Sequence, residues 1–308
     1  MATRIFCELQ PEGTAGGEAE REIAPLRLHE ARAVVAIASG KGGVGKTAIC
    51  VNLAAALAMA GRKVAIVDAD LNSPGVFVML GMKPLRRFQP DEEIEPAAGP
   101  LGIRTVSSAL FADGEQPAFS FLEGDEGAPA ASANGARPLE LDHRAAVRRM
   151  LAARFGPLDI ILVDLASGLA QLHYLARLVE LAGVIMVTQP SEAAVRATRN
   201  ALDAIRHAGL PVLGLIENMV GFSCDSCHAV RPLFPQSDVA SLAQAGDLAI
   251  LGRLPFDPRL ADCCERGALF LREYADTPLA KQFVTIASTL EHELARHPVP
   301  RLSPVTTV

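Results

Sequence analysis

From Ala33 onward the chain alternates between two kinds of segment. Short apolar, β-branched runs such as VVAIAS, KVAIVD and DIILVD are followed by longer stretches in which apolar residues recur with helical spacing. That alternation is the signature of parallel βαβ units. Strands are predicted over Ala33–Ser39, Lys63–Asp68, Gly102–Val106, Asp159–Asp164, Gly183–Val187, Val212–Ile216 and Ile250–Arg253. Several are apolar throughout, as expected of strands covered by helices on both faces. Helices are predicted over Lys46–Ala60, Asp142–Arg154, Gln171–Ala182, Glu192–Ala208, Ser237–Ala245 and Pro278–Arg296. The expected fold class is α/β, a doubly wound and mainly parallel sheet with helices on both faces.

This pattern occupies residues 33–296 as one decorated domain. Residues 1–32 read as a polar, Gly/Glu-rich extension. Residues 123–138 (EGDEGAPAASANGARP) are small, acidic and poor in large apolar side chains, so a flexible surface insertion is expected there. The Pro-rich tail, residues 297–308, is expected to be disordered.

Composition narrows the class. A chain of 308 residues that is 50% hydrophobic has ample material for a core. Its net charge of −6 argues against a protein that coats nucleic acid. No apolar run approaches the ~18 residues of a membrane span, and no membrane partner is expected. The first twenty residues carry four glutamates and no apolar signal core, which points to the cytoplasm. The six cysteines are therefore expected to stay reduced.

The sharpest signal is Gly40-Lys41-Gly42-Gly43-Val44-Gly45-Lys46-Thr47, which satisfies G-x-x-x-x-G-K-S/T between an apolar strand and a helical run. Glycines let successive backbone N–H groups curl around phosphates at the positive end of a helix. Lys46 supplies charge to the β- and γ-phosphates of ATP, and the Thr47 hydroxyl can ligate Mg²⁺. Ala48 continues the phosphate-facing helix start. A chance Gly-rich turn is the competing explanation, and the strand–loop–helix context speaks against it.

The pattern KGGVGKT, followed one strand later by IVDAD, resembles the deviant Walker A ATPases, the group of MinD, ParA, nitrogenase iron protein and the Mrp/ApbC proteins. The resemblance implies that Lys41 reaches across a nucleotide-sandwich homodimer to the partner's phosphates. It also implies that Asp70 orients and activates the attacking water, and that Asp68 lies near Mg²⁺ through water. The plainer alternative has both aspartates capping the turn at Asn72-Ser73-Pro74. Asp164, ending the strand DIILVD, fits the Walker B carboxylate on Mg²⁺. Gly168 then fits the switch II glycine whose N–H meets the γ-phosphate.

The second half, with PVLGLIENMVGFSCDSC and LGRLPFDPRLADCCERG, resembles the Mrp/ApbC-type iron–sulfur cluster carrier ATPases from Ala33 to about Ser288. The resemblance implies ATP hydrolysis, an adenine contact at Asn218 and cluster ligands at Cys224 and Cys227. Apo iron–sulfur proteins would be the clients. The chain departs from the family after the Walker B strand. Asp-Leu-Pro-Pro-Gly-Thr-Gly-Asp is usual, whereas Asp164-Leu165-Ala166-Ser167-Gly168-Leu169-Ala170-Gln171 stands here.

Cys224 and Cys227, with His228, also spell the C-x-x-C-H of haem attachment, which requires an exported chain. A lone C-x-x-C offers two ligands, whereas a 4Fe–4S cluster or Zn²⁺ takes four. A symmetric dimer supplies the other two, and zinc held that way is the serious competitor to a cluster bridging two chains. Cys263 and Cys264 are adjacent and read as core or surface thiols, as do Cys7 and Cys50. The rival from another functional class is a MinD/ParA-type positioning or regulatory switch without a cluster.

Overall fold

The computed structural model describes residues 26, 28, 31–71, 73–83, 93–108, 119–120, 139–140, 143–223, 226–227, 229–235 and 238–296. The strands are β1 (Ala31–Ala38), β2 (Val64–Asp68), β3 (Ala97–Ala98), β4 (Arg104–Ser107), β5 (Phe119–Ser120), β6 (Leu139–Glu140), β7 (Leu158–Asp164), β8 (Gly183–Thr188), β9 (Val212–Ser223), β10 (Val230–Arg231) and β11 (Ile250–Phe256). The helices are α1 (Lys46–Met59), α2 (Val76–Met79), α3 (His143–Leu151), α4 (Ala170–Leu178), α5 (Glu192–His207), α6 (Val239–Ala245), α7 (Pro258–Arg266), α8 (Phe270–Glu273) and α9 (Pro278–Arg296).

One sheet runs β10-β9-β8-β1-β7-β2-β4-β3, with β11 also on β9. Every pairing among β11, β9, β8, β1, β7, β2 and β4 is parallel, and only the two-residue edges β3 and β10 run the other way. β5 and β6 pair separately.

The alternation of side chains explains the unbroken apolar strands. Val34, Ala36 and Ala38 of β1 join Val163, Met186, Leu175 and Leu202 in a core on the side of α3, α4, α5 and α6. Val35 and Ile37 join Leu162, Ile185, Leu53 and Phe283 in a second core on the side of α1, α7, α8 and α9. Successive strand residues point to opposite faces, so a strand covered on both must be apolar at every position. The expected doubly wound sheet is what forms. α1 is buried almost all round, and its alanines keep it narrow enough to lie between the sheet and α9.

The boundaries moved where tertiary contacts override local pattern. β9 was expected to stop at Ile216 but continues to Ser223, because Glu217 is neutralised by Arg253 of β11 at 2.9 Å. α4 was expected to reach Ala182 but ends at Leu178, where Val179 turns extended. α7 had no expectation, although its signals are local. Asp257 accepts the Arg259 N–H as the N-cap, Pro258 opens the helix, and Gly267 closes it in a left-handed conformation. The insertion 123–138, nearly all of the extension 1–32 and the tail lie outside the described residues. Among the described residues no helix is long and apolar enough to cross a membrane.

Candidate nucleotide and metal site

β1 ends beside a loop that delivers the chain into α1 at Lys46. Gly43 and Gly45 take φ of 76° and 87°, in the left-handed region. Gly45 is further required by close approach, since a Cβ there would lie 2.5 Å from Asn218 Nδ2. Gly40 meets α5 so closely that a Cβ would lie 2.4 Å from the Ala197 carbonyl. Three side chains hold the loop by its carbonyls. Asn218 Nδ2 donates to Val44 O at 2.8 Å, Gln189 Nε2 to Gly43 O at 3.0 Å, and Ser39 Oγ to Lys41 O at 2.8 Å. Lys46 is buried within the site, whereas Lys41 is exposed at its rim.

Behind the loop stand two carboxylates. Asp68 and Asp164 are paired in register at the ends of β2 and β7, and both are fully buried. Asp68 Oδ2 accepts the Val76 N–H at 3.2 Å and the Ser107 hydroxyl at 3.0 Å, while its Oδ1 has no partner. Neither oxygen of Asp164 has a hydrogen bond of full geometry. Burial pushes the Asp164 carboxyl up to about 6, against the opposing pull of the nearby Thr47 hydroxyl and Lys46 ammonium. Burial, and then the charge of Asp164, push Asp68 up to about 8. Buried carboxylate oxygens left without donors are costly. A hard divalent cation with oxygen preference relieves that cost, so the donor set fits Mg²⁺.

The loops leaving these two strands meet. Asp70 is half-buried and accepts the Ser73 N–H at 3.2 Å, the turn-capping bond anticipated as its alternative role. Gly168, at φ 95°, donates its N–H to Ser39 O at 3.3 Å and so lies against the start of the phosphate loop. Ser167 faces Gly42. Gln171 bridges both loops, accepting from Ala166 N and donating to Ala69 O, each at 2.9 Å.

β9 carries the site outward. Beyond Asn218 it runs five more residues, through an irregularity at Met219 with φ 58°, to a short antiparallel pairing with β10. Ser223 pairs with Val230, and the intervening segment contains the C-x-x-C. Cys227 is exposed there, and Cys224 lies outside the described residues. The remaining described cysteines are buried. Burial raises the Cys50 thiol well above its usual range and pushes Cys263 and Cys264 to about 11. They are protonated core thiols at neutral pH.

The structure thus brings together Gly40, Lys41, Gly42, Gly43, Val44, Gly45, Lys46, Thr47, Asp68, Asp70, Asp164, Gly168 and Asn218 at the carboxyl edge of one sheet. Sequence reasoning missed Gln189, Ser107 and Ser39. Each sits at or just past the carboxyl end of a strand, the edge where open α/β sheets bind ligands, and that placement was the available signal.

A glycine loop between strand and helix, backed by buried carboxylates on neighbouring strands, defines a nucleotide-binding P-loop NTPase. The chain belongs to the NUBPL iron-transfer P-loop NTPase family, whose ParA model matches residues 30–121 and 142–291. The unmatched gap contains the acidic stretch 123–138. The chain is similar to the iron-sulfur cluster carrier protein of Saccharolobus solfataricus, 31% identical over 264 residues, covering 85% of this chain and 84% of that one. It is also 31% identical over 276 residues to the human cytosolic Fe-S cluster assembly factor NUBP2, covering 88% and 96%. A solved nucleotide-binding protein from Archaeoglobus fulgidus in complex with ADP superposes with a TM-score of 0.63 at 25% identity, over 83% of this chain and 94% of that one. The septum site-determining protein MinD of Pyrococcus horikoshii, complexed with Mg-ADP, gives 0.58 at 20% identity over 84% and 96%, a likeness of fold.

Proposed function

We propose that this chain is an ATP-hydrolysing carrier that binds an iron–sulfur cluster and delivers it to apo client proteins, working as a nucleotide-sandwich homodimer. The observation that carries the reading is the continuity of β9. One strand holds the phosphate loop through Asn218 and then leads to the segment of the C-x-x-C, where Cys227 is exposed.

The geometry supports the following roles. Loop N–H groups and Lys46 hold the nucleotide phosphates. Thr47 and Asp164, with Asp68 behind them, are the residues that would hold Mg²⁺. Bound there, the cation neutralises charge on the phosphates. Asp70 is the carboxylate that would orient water, through the oxygen not taken by the Ser73 N–H. Gly168 must leave Ser39 O before its N–H can meet a γ-phosphate, so nucleotide changes the loop after β7. Exposed Lys41 is free to reach a second copy's phosphates. Asn218 gives one amide N–H to the Val44 carbonyl here and keeps its second N–H and its Oδ1 for an adenine contact, so one β9 side chain would touch both the phosphate loop and the nucleotide.

The cluster is cargo. Cys224 and Cys227 from each of two chains complete four thiolate ligands, so cargo binding and dimerisation are coupled. A MinD/ParA-type switch leaves the cysteine pair without a role, and α9 has mixed charge instead of a basic amphipathic face.

Anaerobically reconstituted protein should contain about four irons and four sulfides per dimer. Cys224→Ala and Cys227→Ala should each abolish both, while Cys263→Ala should not. Stoichiometric zinc without sulfide would replace the carrier with a zinc-stapled ATPase dimer. Neither metal, with ATP-dependent dimerisation intact, would leave the regulatory switch.

A further inference from the structure

Gln171 bonds the loop after β7 and the loop after β2 at once. Its Oε1 accepts the Ala166 N–H, and its Nε2 donates to the Ala69 carbonyl, both at 2.9 Å. Ala166 lies two residues after Asp164, and Ala69 lies between Asp68 and Asp70. The Ala69 carbonyl also accepts the Leu71 N–H at 3.0 Å, so Gln171 takes its second lone pair. β2 and β7 are neighbours in the sheet, but their pairing stops at Asp68 and Asp164. Among the described residues, the Ala69 N–H to Asp164 carbonyl bond at 2.8 Å is the last backbone link between them. Past that point, among the described residues, the Gln171 side chain is the tie.

We propose that Gln171 is a positioning residue that locks the loop after β7 to the loop after β2, so that Asp164, Asp68 and Asp70 stay aimed at one metal–phosphate centre. The proposal rests on the ATPase reading above.

An amide is the side chain this task requires, because it accepts at one end and donates at the other. A carboxylate at 171 would keep the bond to Ala166, oppose the Ala69 carbonyl with a second acceptor, and add charge beside three aspartates. A shorter Asn would not span both loops. The departure from the acid that the family pattern has at this position is therefore a different solution to holding the loop, with its own bonding logic. The phosphate loop is held separately, by Gln189 and Asn218, so loss of the lock should leave nucleotide affinity in place.

The test uses the full chain with Gln171→Met, which keeps length and removes both bonds, and Gln171→Glu, which keeps only the acceptor. Amide exchange in the nucleotide-free protein reads the lock itself. In Gln171→Met, protection should fall in residues 165–170 and 69–73 together, with an unchanged melting temperature. In Gln171→Glu the loss should concentrate in 69–73. Steady-state ATP turnover reads the consequence. Both variants should lose roughly tenfold in kcat, with KM for ATP changed by less than about threefold. Loss of protection in one loop only for Gln171→Met, an unchanged kcat, or a parallel fall in nucleotide affinity and melting temperature would overturn the proposal. A wild-type chain that binds ATP without turning it over would sink the hydrolysis reading instead, and the exchange data would still decide whether the two loops are locked.

Discussion

Asp68 and Asp164 end adjacent parallel strands directly opposite one another, with no solvent exposure at either and three of their four carboxylate oxygens without a full hydrogen bond. A protein without cation or nucleotide must therefore bury two carboxyls at its phosphate site. That cost depends on pH, and its sign can be worked out. Both native pKa values are raised, to about 6 and about 8, above an unfolded value near 3.9. Between those limits the native state binds more protons than the unfolded chain, so stability falls as pH rises. The penalty is absent below about pH 4, grows through pH 6 and 8, and is complete above that.

Asp68→Asn removes the charge that suffers most while keeping an oxygen for Val76 and Ser107. The nucleotide-free variant should be more stable than wild type at pH 8, by on the order of a few kcal/mol, and by no more than about 1 kcal/mol at pH 4.5. Thermal melts at the two pH values check this. Mg²⁺ with nucleotide should flatten the wild-type pH dependence. A variant that melts below wild type at pH 8 would show that Asp68 is satisfied in ways its bonding does not display.

The two loop lysines should separate cleanly. Lys46→Ala removes a buried ammonium from the centre of the phosphate loop and should abolish tight ATP binding, measurable by titration calorimetry. Lys41→Ala removes an exposed side chain that bonds nothing within the cradle, so affinity should hold while turnover and ATP-dependent dimerisation drop. Wild-type hydrolysis by Lys41→Ala would remove the deviant Walker A assignment.

Asp70 has two candidate roles, and one substitution distinguishes them. Asp70→Asn retains an oxygen for the Ser73 N–H, so the turn and the melting temperature should survive. The carboxylate that orients water is lost, so turnover should fall by about 10²-fold or more, with ATP trapped in a closed dimer. Turnover at the wild-type rate would leave Asp70 as a turn cap alone.

Gly45→Ala tests the mechanical link between phosphate loop and β9. The left-handed conformation costs a non-glycine residue about 1–2 kcal/mol. The new Cβ would also displace the Asn218 amide, which sits 2.5 Å from its position. Denaturant melts should show at least that loss, and nucleotide affinity should fall with it. Gly61, also at positive φ but with nothing near its Cβ position, is the control whose alanine variant should pay the conformational cost only.

Much of this was legible along the chain because it is local. Strand and helix periods are set by consecutive residues, and the phosphate loop is eight contiguous positions whose chemistry follows from their own backbone freedom. The two-sided burial of β1, β2, β7 and β8 was readable from their unbroken apolar runs. α7 was equally local and was missed, although Asp257, Pro258 and Gly267 spell its ends. β9 beyond Ile216 was not readable, because a strand that contains Glu217 and Asn218 looks finished until Arg253 and the Val44 carbonyl are brought to it.

The amino-acid sequence alone determined the α/β architecture, the identity of the phosphate loop and the inventory of carboxylates and cysteines. Only the tertiary structure decided that Asp68 and Asp164 face each other, that Gln171 reaches Ala69 across 102 positions, and that Gln189 and Asn218 grip the phosphate loop across 146 and 174. The physical reason is the order of strands. Periodicity and propensity act over a few residues, whereas a hydrogen-bond partner at the carboxyl edge is chosen by which strand lies alongside. That choice is made only when β1 inserts between β7 and β8 and the whole sheet is buried on both faces.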